Sequence, residues 1–165
     1  MVFSMSSFNP IINEISILLK NLNWQLVTAE SCTGGLLASY LTEIPGSSSW
    51  FERGFVTYSN LAKEELLSVP KHLIDQFGAV SEPVAEAMAK GALQNSAGHI
   101  AVSVTGIAGP DGGSIEKPVG TVYLGWAAQG KNCKVTRKQF TGDRQTIRLA
   151  ACQEALSGIL SFITR

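Results

Sequence analysis

WQLVTAESCTGGLLASYL (Trp24–Leu41) is the stretch that decides the fold. Its first part, WQLVTAE (24–30), reads as a buried strand. A short polar run follows, and Gly34 and Gly35 then open a helix through Leu41. Working outward, Ile11, Ile12, Ile15, Leu18 and Leu19 recur at helical spacing between Asn9 and Asn21, with Pro10 tolerated in a first turn. IPGSSSW (44–50) reads as a loop and FERGFVTYS (51–59) as a second strand. Asn60 is expected to cap a short helix that stops at Pro70. GAVS (78–81) reads as a turn, after which Ser81 is expected to cap a helix through Asn95. HIAVSVTG (99–106) reads as a third strand, running into the glycine-rich stretch IAGPDGGSIEKP. VGTVYLGWAAQG and NCKVTRKQFTG are expected to form a hairpin around Gly130, with a final helix starting at Asp143.

Helices and strands alternate early and a hairpin comes late. That order predicts an α/β fold, a three-layer α/β/α sandwich with a mixed, mostly parallel sheet. Ligands of such sheets sit beyond the carboxyl ends of the strands. SCTGG, YSN, TGIAGPDGG and TGDR fall at strand ends and are expected to converge on one pocket. Residues 1–8 read as a polar tail and residues 9–165 as one domain.

The chain has 165 residues, 45% hydrophobic and 16% charged, which suits a sizeable core and excludes a disordered chain. Thirteen basic residues balance thirteen acidic ones. Nucleic-acid binders ordinarily carry a basic excess, so no nucleic-acid partner is expected. Cys32, Cys133 and Cys152 are odd in number and widely spaced, which argues against a disulfide framework or a zinc knuckle. No secretory leader is legible at the N-terminus, and no apolar run reaches the length of a membrane span. A cytoplasmic location and no membrane partner are expected. Trp24, Trp50 and Trp126 are candidates for core or interface, and a homo-oligomer is expected.

His72 and His99 are the two histidines, and neither falls at a ligand-facing strand end. A Ser-His-Asp triad or a histidine metal site is therefore not expected, nor any metal or other cofactor. In AESCTGG (29–35), backbone amides at the helix start could bind an anion, and Ser31 or Thr33 either caps the helix or takes part in chemistry. Cys32 lacks a histidine to lower its pKa and reads as a small buried residue. In GSSSWFERGFVTYSNLAK (46–63), Ser48 lies in a loop, Tyr58 near a strand end and Lys63 on the first turn of a helix. A desolvated lysine can serve as general base to a serine, although spacing alone favours an ordinary solvated Lys63. VTGIAGPDGGSIEKPVGTV (104–122) is rich enough in glycine to approach a ligand closely, or it is a wide turn. In TGDR (141–144), Arg144 is a cation at a helix start, a placement that a bound phosphate or carboxylate would explain.

Together, AESCTGG, GSSSWFERGFVTYSNLAK, GAVSEPVAEAMA, SVTGIAGPDGG, KPVGTVY and TGDR, in that order, resemble the competence-damage (CinA) C-terminal-domain family over residues 9–163. The resemblance implies hydrolysis of nicotinamide mononucleotide to nicotinic acid mononucleotide and ammonia, by serine–lysine chemistry without metal. It places functional positions at Ser31, Ser48, Tyr58, Lys63, Thr105 and Arg144. Ser48 is expected as the nucleophile, Lys63 as its base and Tyr58 as an aid to proton transfer, with Ser31 the alternative nucleophile. Thr33, Gly34, Gly35, Thr105, Gly106, Gly109 and Arg144 are expected to bind the nucleotide, with Arg144 on its phosphate. A nucleotide-binding module without catalysis, and a factor associated with competence or DNA damage, are the alternatives.

Overall fold

The computed structural model describes residues 5–165. Five strands form one sheet: β1 (Leu26–Glu30), β2 (Phe51–Val56), β3 (Ile100–Gly106), β4 (Thr121–Ala128) and β5 (Lys134–Gln139). Their spatial order is β2-β1-β3-β4-β5. β1 is parallel to β2 and β3, and β4 is antiparallel to β3 and β5, so every strand but β4 points the same way.

The helices are α1 (Asn9–Leu22), α2 (Leu36–Thr42), α3 (Asn60–Leu67), α4 (Lys71–Phe77), α5 (Glu82–Gln94) and α6 (Arg144–Thr164). Strand side chains alternate between faces. Leu26, Ile100, Val102 and Val104 pack with α1, α2 and α6. Val27, Ala29 and Ala101 pack with α3, α4 and α5 on the other face. The sandwich is therefore three-layered, as the alternation predicts.

Local chemistry moves several boundaries. The first two strands are shorter than their apolar runs suggest, since β1 begins at Leu26 and β2 ends at Val56. Ser59, not Asn60, caps α3: its Oγ accepts from the Ala62 amide at 3.0 Å. Ser81 stands at the N-cap position of α5, but its hydroxyl donates to the Gly78 carbonyl at 2.8 Å instead of accepting from the helix. Helix α4 was not expected; KHLIDQF (71–77) is too short to display a helical period. Of the expected tail, Met5–Phe8 is a 3-10 turn, and Phe8 is fully buried with its ring edge-on to Tyr40 at 4.5 Å. Burying an aromatic ring of this size stabilises by roughly 1.5–3 kcal/mol, enough to dock the segment. Residues 1–4 lie outside the described residues.

Trp50 and Trp126 are core residues, whereas Trp24 is half-buried and stacks on His99. Trp126 lies across Gly158 of α6 and donates its Nε1–H to the Ala155 carbonyl at 3.1 Å. No helix among the described residues is long and apolar enough to cross a membrane. β1, β2 and β3 end at Glu30, Val56 and Gly106 on one edge of the sheet, and α6 begins at Arg144 beside that edge.

Candidate active site

At that edge β1 delivers Ser31. Its amide donates to the Val104 carbonyl at 2.9 Å, which extends the β1–β3 ladder by one residue. The chain then turns, with the Gly34 amide donating to the Ser31 carbonyl at 3.0 Å. Gly34 and Gly35 have φ of 60° and 96°, backbone that favours glycine.

Glu30, fully buried, folds its carboxylate back onto the start of α2 and accepts from the amides of Leu37 at 2.8 Å and Ala38 at 3.1 Å. The negative charge meets the positive end of the helix. These amides, read from the sequence as an anion site, are therefore satisfied from within the chain. Thr33 is fully buried, and neither it nor Gly34 or Gly35 lines the pocket. Gly34 and Gly35 shape the turn that follows Ser31.

Helix α3 brings Lys63 to the same place, 1% exposed. Its Nζ lies 3.0 Å from Ser31 Oγ and 2.9 Å from the Thr57 carbonyl oxygen, with the Tyr58 and Ser59 carbonyls at 3.4 and 3.5 Å. It forms no ion pair among the described residues. Burial without a carboxylate partner pushes the Lys63 pKa below the ordinary lysine value. An ammonium here donates to Ser31 Oγ, whereas a neutral amine has a lone pair that can accept from the Ser31 hydroxyl while its own N–H groups face the surrounding carbonyls.

The pair opens onto a cavity of about 240 Å³ whose walls include Tyr58, Asn60, Ala79, Thr105, Gly106 and Arg144. Arg144 spans its mouth. One guanidinium nitrogen donates to the Gly109 carbonyl at 2.8 Å and another to the Tyr58 hydroxyl at 3.0 Å. Thr105 donates to the Ala79 carbonyl at 2.9 Å and so ties the loop before α5 to the end of β3. Gly106 lets β3 and β4 close: a Cβ there would stand 2.7 Å from Val122 Cγ2. Gly109 contributes its carbonyl to Arg144 and is not itself a wall.

Ser48 is elsewhere. It lies exposed in the 3-10 turn Ser47–Ser49, which leads into the first residue of β2, whereas Lys63 follows the last. The length of β2 separates them, about 17 Å for the five steps from Phe51 to Val56 at about 3.3 Å each. The expected pairing of Ser48 with Lys63 is thus replaced by Ser31 with Lys63.

Cys32, also in the cavity wall, is buried, and burial pushes its thiol up to about 12, which removes it as a nucleophile near neutral pH. His99 lies at the opposite edge, where its Nδ1 accepts from the Gln25 amide at 3.0 Å. Among the described residues, no group of three or more His, Cys, Asp or Glu is placed to hold a metal ion. A larger, open concavity of about 570 Å³ lies along Pro110–Val119, but its walls carry no nucleophile–base pair.

Sequence reasoning also missed Arg148. Its Nε donates to the Cys32 carbonyl at 3.1 Å and its Nη2 to the Thr33 carbonyl at 2.9 Å, gripping the Ser31 turn from behind. The available signal was its place one helical turn after Arg144, on the same face of α6.

The sequence profile of the CinA C-terminal domain matches residues 9–163. Nicotinamide-nucleotide amidohydrolase PncC of Enterobacter agglomerans is 53% identical over 147 residues, 89% of this chain and 90% of that protein. Its namesake from Escherichia coli K12 is 55% identical over 133 residues, 79% of each chain. The crystal structure of competence/damage inducible protein CihA from Agrobacterium tumefaciens superposes with a TM-score of 0.92 at 43% identity, covering 98% of this chain and 97% of that one.

Proposed function

The chain belongs to the CinA C-terminal domain family, and from that premise and the geometry of the site we propose that it hydrolyses nicotinamide mononucleotide to nicotinic acid mononucleotide and ammonia. It is a cytoplasmic enzyme of pyridine-nucleotide (NAD) salvage. The observation that carries the chemistry is the buried contact of 3.0 Å between Lys63 Nζ and Ser31 Oγ. Support for the substrate comes from two relatives named nicotinamide-nucleotide amidohydrolase at 53% and 55% identity.

Neutral Lys63 takes the Ser31 proton as Oγ attacks the carboxamide carbon, whose carbonyl oxygen becomes an oxyanion. Lys63 then passes its proton to the amide nitrogen, the C–N bond breaks and ammonia leaves. Water attacks the resulting ester, Lys63 accepts the water proton and returns it to Ser31 Oγ, and the product carboxylic acid is released. No metal takes part. The substrate pyridinium makes the carboxamide carbon more electrophilic and, close to Lys63, further disfavours the ammonium form.

Arg144 receives the phosphate. Its guanidinium already holds the mouth through Gly109 and Tyr58, and its remaining N–H groups supply charge-assisted donors. Tyr58 acts at the mouth, steadying Arg144. Exposed Val56 and Leu61, beside the mouth on β2 and α3, are the surface on which a homo-oligomer forms. Nucleic acid is no partner of this neutral chain.

The test is ammonia release by the purified protein from the mononucleotide, its riboside and free nicotinamide. Turnover of the mononucleotide above the others is expected, with none in Ser31→Ala. A binding module without catalysis would hold the nucleotide and release no ammonia, and that result would overturn the proposal.

A further inference from the structure

The hydroxyl, amine and guanidinium groups in the cavity wall all have partners within the chain. Ser31 meets Lys63 at 3.0 Å, and Lys63 also meets the Thr57 carbonyl at 2.9 Å. Thr105 donates to the Ala79 carbonyl at 2.9 Å, and Arg144 holds the Tyr58 hydroxyl at 3.0 Å. Asn60 lines the same cavity, yet its carboxamide makes no hydrogen bond among the described residues. Nor does that side chain serve the fold. Ser59 caps α3 by accepting from the Ala62 amide at 3.0 Å, which leaves Asn60 at the first helical position with nothing to cap. A carboxamide offers an acceptor oxygen and two donor hydrogens, and at Asn60 all of them are open.

Position says what that group meets. Lys63 follows Asn60 by three residues, so the two share one face of α3, about one turn apart. Lys63 is 1% exposed and stands at the cavity floor with buried Ser31. Tyr58, two residues before Asn60, is 60% exposed and stands at the mouth with Arg144. Asn60 therefore belongs to the stretch of wall that runs from floor to mouth. The reaction proposed above, on which this inference rests, anchors the substrate at both ends of that stretch, the carboxamide carbon at Ser31 and the phosphate at Arg144. Between those two groups of a pyridine mononucleotide, the part that carries hydroxyls is the ribose. The neighbouring walls at Ala79, Val80 and Ala108 carry no polar side chain. A cis-diol donates and accepts, as a carboxamide does, so the two match in both senses.

We infer that Asn60 reads the ribose 2′,3′-diol and makes the site selective for ribonucleotides over deoxy analogues. The carboxamide N–H donates to one hydroxyl oxygen, and the other hydroxyl donates to the carboxamide oxygen. The contact is remote from the bond that breaks and is made before and during the reaction alike. Its loss therefore appears in Kd and KM and not in kcat.

The experiment uses the full chain with Asn60→Ala. Because Asn60 makes no side-chain bond within the chain, the variant is expected to unfold at the wild-type midpoint; Asn60→Ser, too short to span the diol, is the second variant. Two readouts are taken. The first is Kd for nicotinamide mononucleotide, its 2′,3′-dideoxyribose analogue and the riboside, measured by ligand-observed NMR in a Ser31→Ala background that does not consume them. The second is kcat and KM for ammonia release with Ser31 in place. Asn60→Ala is expected to raise Kd and KM for the mononucleotide about tenfold with kcat within about threefold, to weaken the riboside by a similar factor, and to leave the dideoxy analogue within about twofold. Equal losses for the mononucleotide and the dideoxy analogue, or no loss for either, would overturn the inference. So would an effect that disappears with the riboside, since that result puts Asn60 on the phosphate. A wild-type protein that releases no ammonia from the mononucleotide overturns the substrate reading instead, and the Kd ratios still decide this one; a protein that binds none of the three ligands overturns both.

Discussion

Replacing Lys63 by methionine removes the one amine beside Ser31 while keeping an unbranched stem of similar length. The amine is the only base within hydrogen-bond reach of Ser31 Oγ among the described residues. A positioned general base contributes roughly 10²–10⁴ in rate, so kcat is expected to fall by at least that range. Ser31→Ala, Lys63→Met and the double variant should reach the same residual rate, because the two groups act as one unit. The cost to stability is small. Its bonds to Ser31 Oγ at 3.0 Å and to the Thr57 carbonyl at 2.9 Å are worth about 1 kcal/mol each, and loss of a desolvated amine offsets them. A pH signature separates this account from simple structural damage. Burial holds the folded pKa of Lys63 below its ordinary value of 10.5. Between those two values the unfolded chain binds the proton and the folded one does not, so unfolding free energy rises with pH across that window. The rise is at most about 1.4 kcal/mol per pH unit, and Lys63→Met should lack it. Wild-type kcat should rise over the same window as Lys63 loses its proton. The assays are ammonia release at saturating nucleotide and urea unfolding at several pH values from 7 to about 10.5. A Lys63→Met variant that keeps kcat within about tenfold, or shows the wild-type pH slope, refutes the assignment.

Three further outcomes are expected. Ser31→Ala should have no measurable turnover while Ser48→Ala keeps nearly all of it; the opposite pattern would return the nucleophile to the loop before β2. Arg144→Ala should raise KM for the mononucleotide tenfold or more, since a charge-assisted bond worth roughly 1.5–3 kcal/mol is lost, with little change for the riboside; equal effects on both would show that no phosphate is read there. Gly158→Ala should destabilise by about 1–3 kcal/mol, because a Cβ there runs into the indole of Trp126, and a denaturation midpoint at the wild-type value would contradict that packing.

The fold was legible because its signals are local. Buried strands are continuous apolar runs, helices carry a period, and turns carry glycine, so TAESCTGG or SVTGIAGP can be read residue by residue. What stayed hidden depends on who faces whom. Nothing near Glu30 in sequence says that its carboxylate will turn back onto the amides of Leu37 and Ala38. Nothing near Lys63 says that it will be 1% exposed, since helix α3 carries charge at Glu64 and Glu65 on its other sides. Arg148 reaches across 115 residues of chain to Thr33, a contact with no local trace.

The choice between Ser48 and Ser31 is different, because topology could have made it. In a parallel pair, residues that precede a strand lie at one edge of the sheet and residues that follow a strand lie at the other. Lys63 follows β2, and Ser48 precedes it. No loop motion brings a residue at the start of β2 to a helix that leaves its end, because the strand itself holds them apart. Ser31 follows β1, whose pairing with β2 in register from Leu26 with Phe51 to Glu30 with Val56 puts the two strand ends side by side. Once FERGFVTYS is read as a strand parallel to WQLVTAE, a serine able to meet Lys63 must come after a strand, and AESCTGG is where the first strand delivers one.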